Sequence, residues 1–165
     1  KKKQVVSYLD GKKHGKIKVY YKDNNKLRYK GNYNKGLMDG KWTYYWENGN
    51  KKAEGQFING NAGNKNEITD IPTNGRDGQW LSWHSNGTKW SELDFIDGKK
   101  HGSQINWYDN GQKELEGNYE NDNKIKTWLW WYIDGSPMQE GVFNSNGKFE
   151  GLYFINPPVP EVTYP

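Results

Sequence analysis

Four glutamates recur at one position of a repeating pattern, and a column of carboxylates is an arrangement that could do acid–base chemistry. They are Glu54, Glu92, Glu116 and Glu140. A glycosidase needs two carboxyl groups at a set separation across a sugar-binding cleft. A carboxylate that occurs once per unit is more simply explained as an ion-pair partner for a lysine on the neighbouring strand. We therefore expect these glutamates to be structural.

The three histidines offer no further catalytic arrangement. His14 and His101 both stand in the sequence Lys-Lys-His-Gly, and His84 occupies a position that is Tyr or Trp in other units. Their separations do not fit the ligand spacing of a metal site. The chain has 0 Cys, and it contains no P-loop, GxSxG or HExxH motif. We expect no catalytic residue, no metal and no cofactor, and therefore a protein that is not an enzyme.

A 24-residue repeat organises almost the whole chain. Segments 40–57, 78–95 and 102–119 align directly, 126–143 follows the same frame, and 15–33 does so with one inserted residue. Successive units end in an aromatic residue at intervals of 24, 38, 24 and 24 residues, so one linker has 14 extra residues. These closing aromatic residues are Tyr33, Phe57, Phe95, Tyr119 and Phe143.

The repeat predicts one domain over residues 1–155 and a tail over 156–165. Its units span about 8–33, 34–57, 75–95, 96–119 and 120–143, with a partial unit at 147–154. The insertion at 61–74 is either a specialised binding loop or a tolerated surface excursion. The tail has four prolines, which predict an extended, polyproline-like segment.

Each unit has the pattern of a β-hairpin. An aromatic run over 42–46 is followed by Asn48-Gly49 and a second short run. Asn-Gly between such runs predicts a type I′ turn, in which both residues have a positive φ. A second set of turn signals is expected to join one unit to the next, at Asp39-Gly40, Asp77-Gly78 and Asp97-Gly98. The prediction is an all-β fold: an elongated, twisted antiparallel meander of hairpins, with contacts mostly between neighbours.

Comparison of the units predicts which side chains are buried. We expect the core to consist of the closing aromatic residues and a column that is aromatic in every unit: Tyr20, Tyr45, Trp83, Trp107 and Trp131. The opposite strand face is aromatic in some units and polar in others, which predicts an exposed face that binds a partner. The candidate residues on it are Trp42, Tyr44, Trp46, Trp80, Trp128 and Trp130.

The repeated glycines are predicted to be structural. Glycine is unfavourable inside a strand unless another group approaches its backbone closely. We therefore expect a neighbouring ring to lie flat over the mid-strand column of Gly31, Gly55, Gly117 and Gly141. Leu93 breaks this column, so the third unit should pack differently. The structural set comprises Gly40, Gly49, Gly55, Gly78, Gly87, Gly102, Gly111, Gly117, Gly135 and Gly141.

Composition explains how so polar a chain can fold. Only 32% of residues are hydrophobic and the mean hydropathy is −1.21, values that are typical of disorder. The 9 Trp, 12 Tyr and 5 Phe oppose that interpretation, because each ring can bury about 150–250 Å². No apolar run is long enough to span a membrane. No apolar segment follows the basic residues 1–3, so we expect no signal peptide in this sequence.

Charge is distributed unevenly along the chain. Residues 1–35 contain 12 Lys and Arg against two Asp, whereas the remainder contains 12 basic and 18 acidic residues. A basic end either attracts an anionic partner, such as a membrane surface, or is a solvated face. The candidate patch is Lys12, Lys13, Lys16, Lys18, Lys22 and Arg28. Nucleic acid is not expected, because the Trp residues begin at Trp42, outside this basic segment.

The unit resembles the bacterial variant of the MORN repeat, sometimes named antitoxin-like. Residues 39–57 and 101–119 match its pattern of Asp-Gly, Trp, Asn-Gly, Glu-Gly and a final Phe or Tyr. Lys126 in place of Gly and Gln104 in place of Trp depart from it. The resemblance implies a sheet of hairpins used for binding or scaffolding, with eukaryotic members associated with phosphoinositide membranes and protein assembly. We expect a bacterial protein that is secreted or in the cell envelope with any signal peptide removed; a cytoplasmic location stays open.

The Gly-Lys-Trp start at 40–42 and the Asn-Gly turns are also similar to choline-binding and glucan-binding repeats of bacterial surface proteins. Those repeats hold choline or sugar in aromatic cages between hairpins. Two functions therefore remain: a protein-binding module or scaffold acting through an aromatic face, and a surface protein that binds choline or cell-wall carbohydrate. Association of the basic end with an anionic membrane is a further alternative.

Overall fold

A single antiparallel sheet of 12 strands forms the fold, and strand order in the sheet follows chain order throughout. The structure is a computed structural model that describes residues 4–67 and 69–154. Its strands are β1 (Gln4–Leu9), β2 (Lys12–Tyr20), β3 (Leu27–Asn34), β4 (Leu37–Tyr45), β5 (Lys51–Gly60), β6 (Arg76–Trp83), β7 (Lys89–Ile96), β8 (Lys99–Trp107), β9 (Lys113–Glu120), β10 (Asn123–Trp131), β11 (Pro137–Phe143) and β12 (Phe149–Phe154).

The predicted all-β meander of hairpins is confirmed. Every substantial contact between strands joins neighbours in the chain. Within the described residues no helix occurs, and hence none that could span a membrane. The tail at 156–165 lies outside the described part of the chain.

The Asn-Gly turns differ from the prediction. Gly49 has a φ of 98°, but Asn48 does not have a positive φ. The Gly49 N–H donates to the Trp46 carbonyl at 2.9 Å, and the Trp46 N–H donates to the Asn50 carbonyl at 2.8 Å. This is a type I turn followed by a glycine bulge, so the type I′ prediction is wrong here. Asn48 suits the turn because its Oδ1 accepts a hydrogen bond from the Asn50 N–H at 2.9 Å.

Type I′ geometry occurs instead at the turns that join units. Both central residues have positive φ at Asp10-Gly11, Lys35-Gly36, Asp97-Gly98 and Asn121-Asp122. The prediction of a joining turn is therefore right for Asp97-Gly98. It is wrong for Asp39-Gly40 and Asp77-Gly78, because these lie inside β4 and β6. Gly40 and Gly78 have positive φ at the start of a bulge in each strand, and Lys126 adopts the same geometry in β10 with a φ of 60°.

Each of these bulges allows the indole ring of a Trp on the bulged strand to lie against the strand that precedes it. The pairing of β3 with β4 skips Gly31, that of β5 with β6 skips Gly55, and that of β9 with β10 skips Gly117. The rings of Trp42, Trp80 and Trp128 lie over these glycines, so closely that a Cβ there would overlap the ring. The predicted close approach of a ring to the glycine column is confirmed at these three positions.

The indole N–H completes the arrangement with a hydrogen bond. Trp42 Nε1 donates to the Asn32 carbonyl at 3.2 Å, and Trp80 Nε1 donates to the Gln56 carbonyl at 3.1 Å. Trp128 Nε1 does the same to the Asn118 carbonyl at 3.2 Å. The bulge thus leaves no buried carbonyl unpaired next to the glycine, and only Trp among the aromatic residues supplies a ring and a ring N–H donor of this reach.

The closing aromatic residues pack edge-on against these indoles, as predicted for a core column. Phe57 is fully buried and meets Trp80 with ring centroids 4.9 Å apart at an interplanar angle of 75°. Tyr33 meets Trp42 and Tyr119 meets Trp128 in the same T-shaped way. Phe95 is also buried, whereas Phe143 is only partly buried.

The second predicted core column is wrong, and the predicted exposed face is the core. Tyr20, Tyr45, Trp83, Trp107 and Trp131 are only half-buried. In contrast, Trp42, Trp80 and Trp128 have exposures of 1–3% and Tyr44 of 7%. An aromatic residue that recurs in every unit is therefore not necessarily buried. The buried rings are those that lie over a glycine of the neighbouring strand.

The third unit packs differently, as Leu93 predicts. Leu93 stands where other units have the mid-strand Gly, and it pairs with Gln104, which stands where other units have the Trp. The two residues that differ from the other units therefore face each other. Because there is no indole at position 104, a glycine is not needed at position 93. The main core cluster extends from Ile17 to Phe95, and Tyr119 and Trp128 lie outside it.

We expect Gly55→Ala to lower the free energy of unfolding by about 2–4 kcal/mol, because the new methyl group overlaps the buried Trp80 ring and breaks its hydrogen bond. Urea unfolding followed by circular dichroism measures the change. Gly63→Ala is the matched control, since Gly63 lies in an exposed loop without a positive φ. The control should stay within about 0.5 kcal/mol of the parent protein. A Gly55→Ala protein as stable as the control would contradict this packing.

Candidate binding surfaces

The sheet has two faces of different character. We call the face that bears Trp42, Trp80 and Trp128 the core face. We call the opposite face, which bears Tyr45, Trp83, Trp107 and Trp131, the open face. Because strand residues alternate between faces, every repeat contributes side chains to both.

Long cationic side chains cover the rings of the core face. The Arg76 guanidinium lies 4.4 Å from the Trp80 ring centroid and 5.3 Å from that of Phe95. Lys100 lies over Tyr119 at 4.7 Å and Lys124 over Trp128 at 4.4 Å. Burial lowers the pKa of Arg76 to about 10. The aliphatic stems of such side chains shield the apolar surface of the rings.

The open face repeats one three-residue arrangement, which we call a rung. Each rung consists of a lysine, the glutamate three residues later on the same strand, and an aromatic ring of the next unit. Lys51, Lys89 and Lys113 lie 4.6, 5.1 and 5.1 Å from the ring centroids of Trp83, Trp107 and Trp131. The same lysines bind Glu54, Glu92 and Glu116 at 3.2, 3.2 and 2.7 Å.

The rungs correct the predicted pairing of the glutamates. A cross-strand lysine was expected, but the shared partner is the lysine three residues earlier. Within residues 4–67 and 69–154, Glu54 alone of these glutamates has a cross-strand ion-pair partner as well, Lys41 at 3.3 Å. Burial on its own raises the pKa of Glu54, but hydrogen bonds and charges from Lys51 and Lys41 outweigh it, and the pKa lies below its usual range.

Two further sets of hydrogen bonds tie each unit to the next. Side chains that follow the first strand of a unit contact the backbone carbonyl of the next unit's open-face ring: Tyr21 to Tyr45, Trp46 to Trp83, His84 to Trp107 and Tyr108 to Trp131, at 2.7–2.9 Å. Turn amides do the same between turns, as where Asn48 Nδ2 donates to the Ser85 carbonyl at 2.7 Å. The rungs are therefore held in register by bonds that do not use their rings.

The insertion at 61–74 folds over the core face. Ile71 is 2% exposed and belongs to the main core cluster. Asp70 binds Arg28 at 2.8 Å and Lys65 at 3.0 Å. The hydrogen bond from Lys65 lowers the pKa of Asp70, and the charges of Lys65 and Arg28 lower it further. Burial acts in the opposite direction but is outweighed. Arg76 donates to the carbonyls of Pro72 and Ile71 at 2.8 and 3.3 Å.

A cavity of about 260 Å³ lies between this insertion and the core face. Tyr29, Trp42 and Tyr44 are among its aromatic walls, and its cations are Lys13, Arg28, Lys52 and Lys65. Asp70 is the one acidic residue in the lining. The Tyr44 hydroxyl is buried and has no hydrogen-bond partner among the described residues. Within residues 4–67 and 69–154, no group of three His, Asp or Glu could hold a metal ion.

The comparison with protein families finds a similarity in three segments of the chain. The family described as the MORN repeat variant matches residues 38–59, 76–97 and 100–121. These three segments are similar to this MORN variant. They correspond to β4–β5, β6–β7 and β8–β9, whereas the other hairpins of the sheet lie outside the matched segments.

Comparisons with whole proteins add little to the MORN match. No curated protein matches the chain. Among the matching solved structures is one described as "Crystal structure of accessory secretory protein 1,2 and 3 in Streptococcus pneumoniae". It has 13% identity and a TM-score of 0.34, and the match covers 47% of this chain and 15% of that chain.

The predicted binding residues mostly lie inside the core. Trp42, Tyr44, Trp80 and Trp128 are buried, so they cannot form the exposed patch that was expected. Trp130 is partly buried, with its ring 6.2 Å from that of Trp128. Trp46 is partly buried as well, and its Nε1 donates a hydrogen bond to the Trp83 carbonyl at 2.9 Å. The exposed rungs were missed, although their signal was present in the sequence as Lys-x-x-Glu at 51–54, 89–92 and 113–116.

The predicted basic patch is divided between the two faces. Lys13 and Arg28 line the cavity on the core face. Lys16 and Lys18 line a groove of about 650 Å³ elsewhere on the same strands, together with Lys30, Lys41 and Lys51. Lys12 and Lys22 are exposed and line neither. Binding of an anionic membrane by these cations stays a prediction.

We expect Glu54→Gln to lower the free energy of unfolding at pH 7 by about 0.5–1 kcal/mol, because it removes the ion pairs with the largely exposed Lys41 and Lys51. A carboxylate with a lowered pKa stabilises the fold above its unfolded-state pKa and loses that effect as pH falls through the folded-state pKa. The difference from the parent protein should therefore disappear on acidification below the ordinary Glu range. Urea unfolding at several pH values tests this, with the exposed Glu120→Gln as control. A difference independent of pH would contradict it.

Proposed function

We propose that this chain is a non-enzymatic binding module that engages another protein through the rungs of its open face. The observation that supports the proposal is the row of half-buried rings of Trp83, Trp107 and Trp131, each under a lysine of the preceding unit. These rings lie on β6, β8 and β10, so successive rings are two strands, or about 10 Å, apart.

The rungs have the properties of an interaction surface. Tyr and Trp dominate the energetically important positions of protein interfaces, because a large ring gives much contact area for little lost freedom. Here the strand backbone and the lysine already restrict each ring, which lowers the entropic cost of binding. The Lys and Glu of each rung would form the polar rim around the ring.

Arrangement of the two faces favours the open face over the core face. On the core face, the indoles are occupied by glycine backbones, closing aromatic residues and covering cations. The open-face rings also lie under lysine side chains, but among the described residues they have no closing aromatic residue or glycine backbone against them, and they stay half-buried. A partner that added a second layer there would bury the rings from both sides.

The choline-cage alternative has less support. Between the hairpins the core-face rings are closely packed, and the cavity under the insertion has four cations and one carboxylate in its lining. A quaternary ammonium group would meet like charge there, which costs free energy in a partly desolvated site.

The double variant Trp83→Thr/Trp107→Thr tests the proposal. Threonine suits a strand but has no ring, so the sheet should persist while the central rungs are lost. Tyr8→Thr is the matched control, because Tyr8 is 61% exposed on β1 and belongs to no rung. Immobilised parent, control and double variant are compared for proteins retained from an extract of the native source, with folding checked by circular dichroism. The Kd of a retained partner is then measured with each purified protein.

We expect the parent and control to bind the partner equally and the double variant to bind it at least ten-fold more weakly. Equal binding by the double variant would place the interaction elsewhere. Failure of the folded parent protein to retain any protein above a blank matrix would also contradict the proposal.

A further inference from the structure

We propose that the cavity between the insertion and the core face is a binding site for a small ring compound that bears one carboxylate. This site is separate from the rungs, because it lies on the opposite face of the sheet, and it does not depend on the proposed protein partner. Three observations support it: the walls of the cavity, its unbalanced charge, and a buried hydroxyl without a partner.

The walls are suited to a flat ring. The rings of Tyr29, Trp42 and Tyr44 form one cluster, with centroids 5.7–6.2 Å apart, and all three residues line the cavity. Ile71 and Pro72 of the insertion line it too. Pockets for drug-sized ligands usually hold about 300–1,000 Å³. A volume of about 260 Å³ therefore suits a compound built on a single ring.

The charge of the lining favours an anion. Lys13, Arg28, Lys52 and Lys65 face Asp70 alone. Asp70 is already bound by Arg28 and Lys65. Lys13 and Lys52 make no ion pair among the described residues and lie over aromatic rings, Tyr33 at 5.1 Å and Trp46 at 4.3 Å. Burial, opposed by Asp70 and aided by Arg28, lowers the pKa of Lys52. A ligand carboxylate would give Lys52 a direct ion pair in addition to the more distant charge of Asp70.

Tyr44, which lines the cavity, carries a buried hydroxyl without a hydrogen-bond partner among the described residues. The residue as a whole is 7% exposed. A buried polar group without a hydrogen bond is unfavourable, and such groups are rare in folded proteins. Burial raises the pKa of Tyr44 far above its ordinary value. The hydroxyl therefore stays protonated and can donate to a ligand oxygen.

Isothermal titration calorimetry of the full chain at low ionic strength tests the site with four named probes. D-Glucuronate and benzoate are ring carboxylates, one a sugar and one aromatic, and methyl glucoside and benzamide are their uncharged counterparts. We expect at least one carboxylate to bind with a Kd in the millimolar range or below, and its neutral counterpart to bind at least ten-fold more weakly. The carboxylate that binds more tightly indicates whether the natural ligand is a sugar acid or an aromatic acid.

Two variants connect binding to the cavity. Tyr44→Phe removes only the unpartnered hydroxyl, so the stability of the ligand-free protein should be unchanged or raised. The Kd of the carboxylate that binds should increase about five-fold or more. Lys52→Gln should increase the same Kd about ten-fold. Lys99→Gln removes an exposed lysine outside the cavity and should have no effect.

The proposal is overturned if neither carboxylate binds more tightly than its neutral counterpart, which would leave water as the only partner of the Tyr44 hydroxyl. It is also overturned if both cavity variants bind like the parent, or if Lys99→Gln weakens binding as much as Lys52→Gln. A failure here does not affect the open-face proposal, whose variants and readout are different.

Discussion

Contact between an indole and a bare glycine backbone is the constraint on which the rest of this sheet depends. A sheet without a second layer has no opposing surface, so it must bury its large side chains against its own backbone. Trp42, Trp80 and Trp128 do so by lying on the preceding strand, where glycine leaves the space and a bulge frees a carbonyl for the indole N–H. The joint recurrence of Trp, Gly and a positive φ at β3–β4, β5–β6 and β9–β10 follows from this one contact.

The same contact explains why the two faces differ. Because the indoles fold down onto the core face, the closing aromatic residues and long cations can cover them there. The rings of the opposite face have no glycine to lie on and stay half-buried, each restrained by a lysine. The insertion at 61–74 adds a local second layer through Ile71, and that layer encloses the cavity beside Tyr44.

The fold was predictable from the sequence, whereas the functional surfaces were only partly so. The 24-residue period and the turn signals led directly to the meander, since each unit pairs with its neighbour. The choice of face failed, because Gln104 made the core column look polar and its compensation by Leu93 lies on another strand. The position of a lysine over each open-face ring, such as Lys51 over Trp83, could not be predicted because it depends on how one unit pairs with the next. Nothing in the insertion's composition indicated that it would fold back over Tyr44.

The most direct test of this account is a double-mutant cycle at the β7–β8 pairing, where Leu93 and Gln104 stand in place of the Gly and the Trp. Gln104→Trp alone should destabilise the protein because the indole meets Leu93, and Leu93→Gly alone should destabilise it by leaving a gap. Together they restore the pair found in the other units. Urea unfolding should then give a favourable coupling of about 1–3 kcal/mol between the two substitutions. Effects that add to within about 0.5 kcal/mol would contradict the claim that Trp and Gly act as one structural unit.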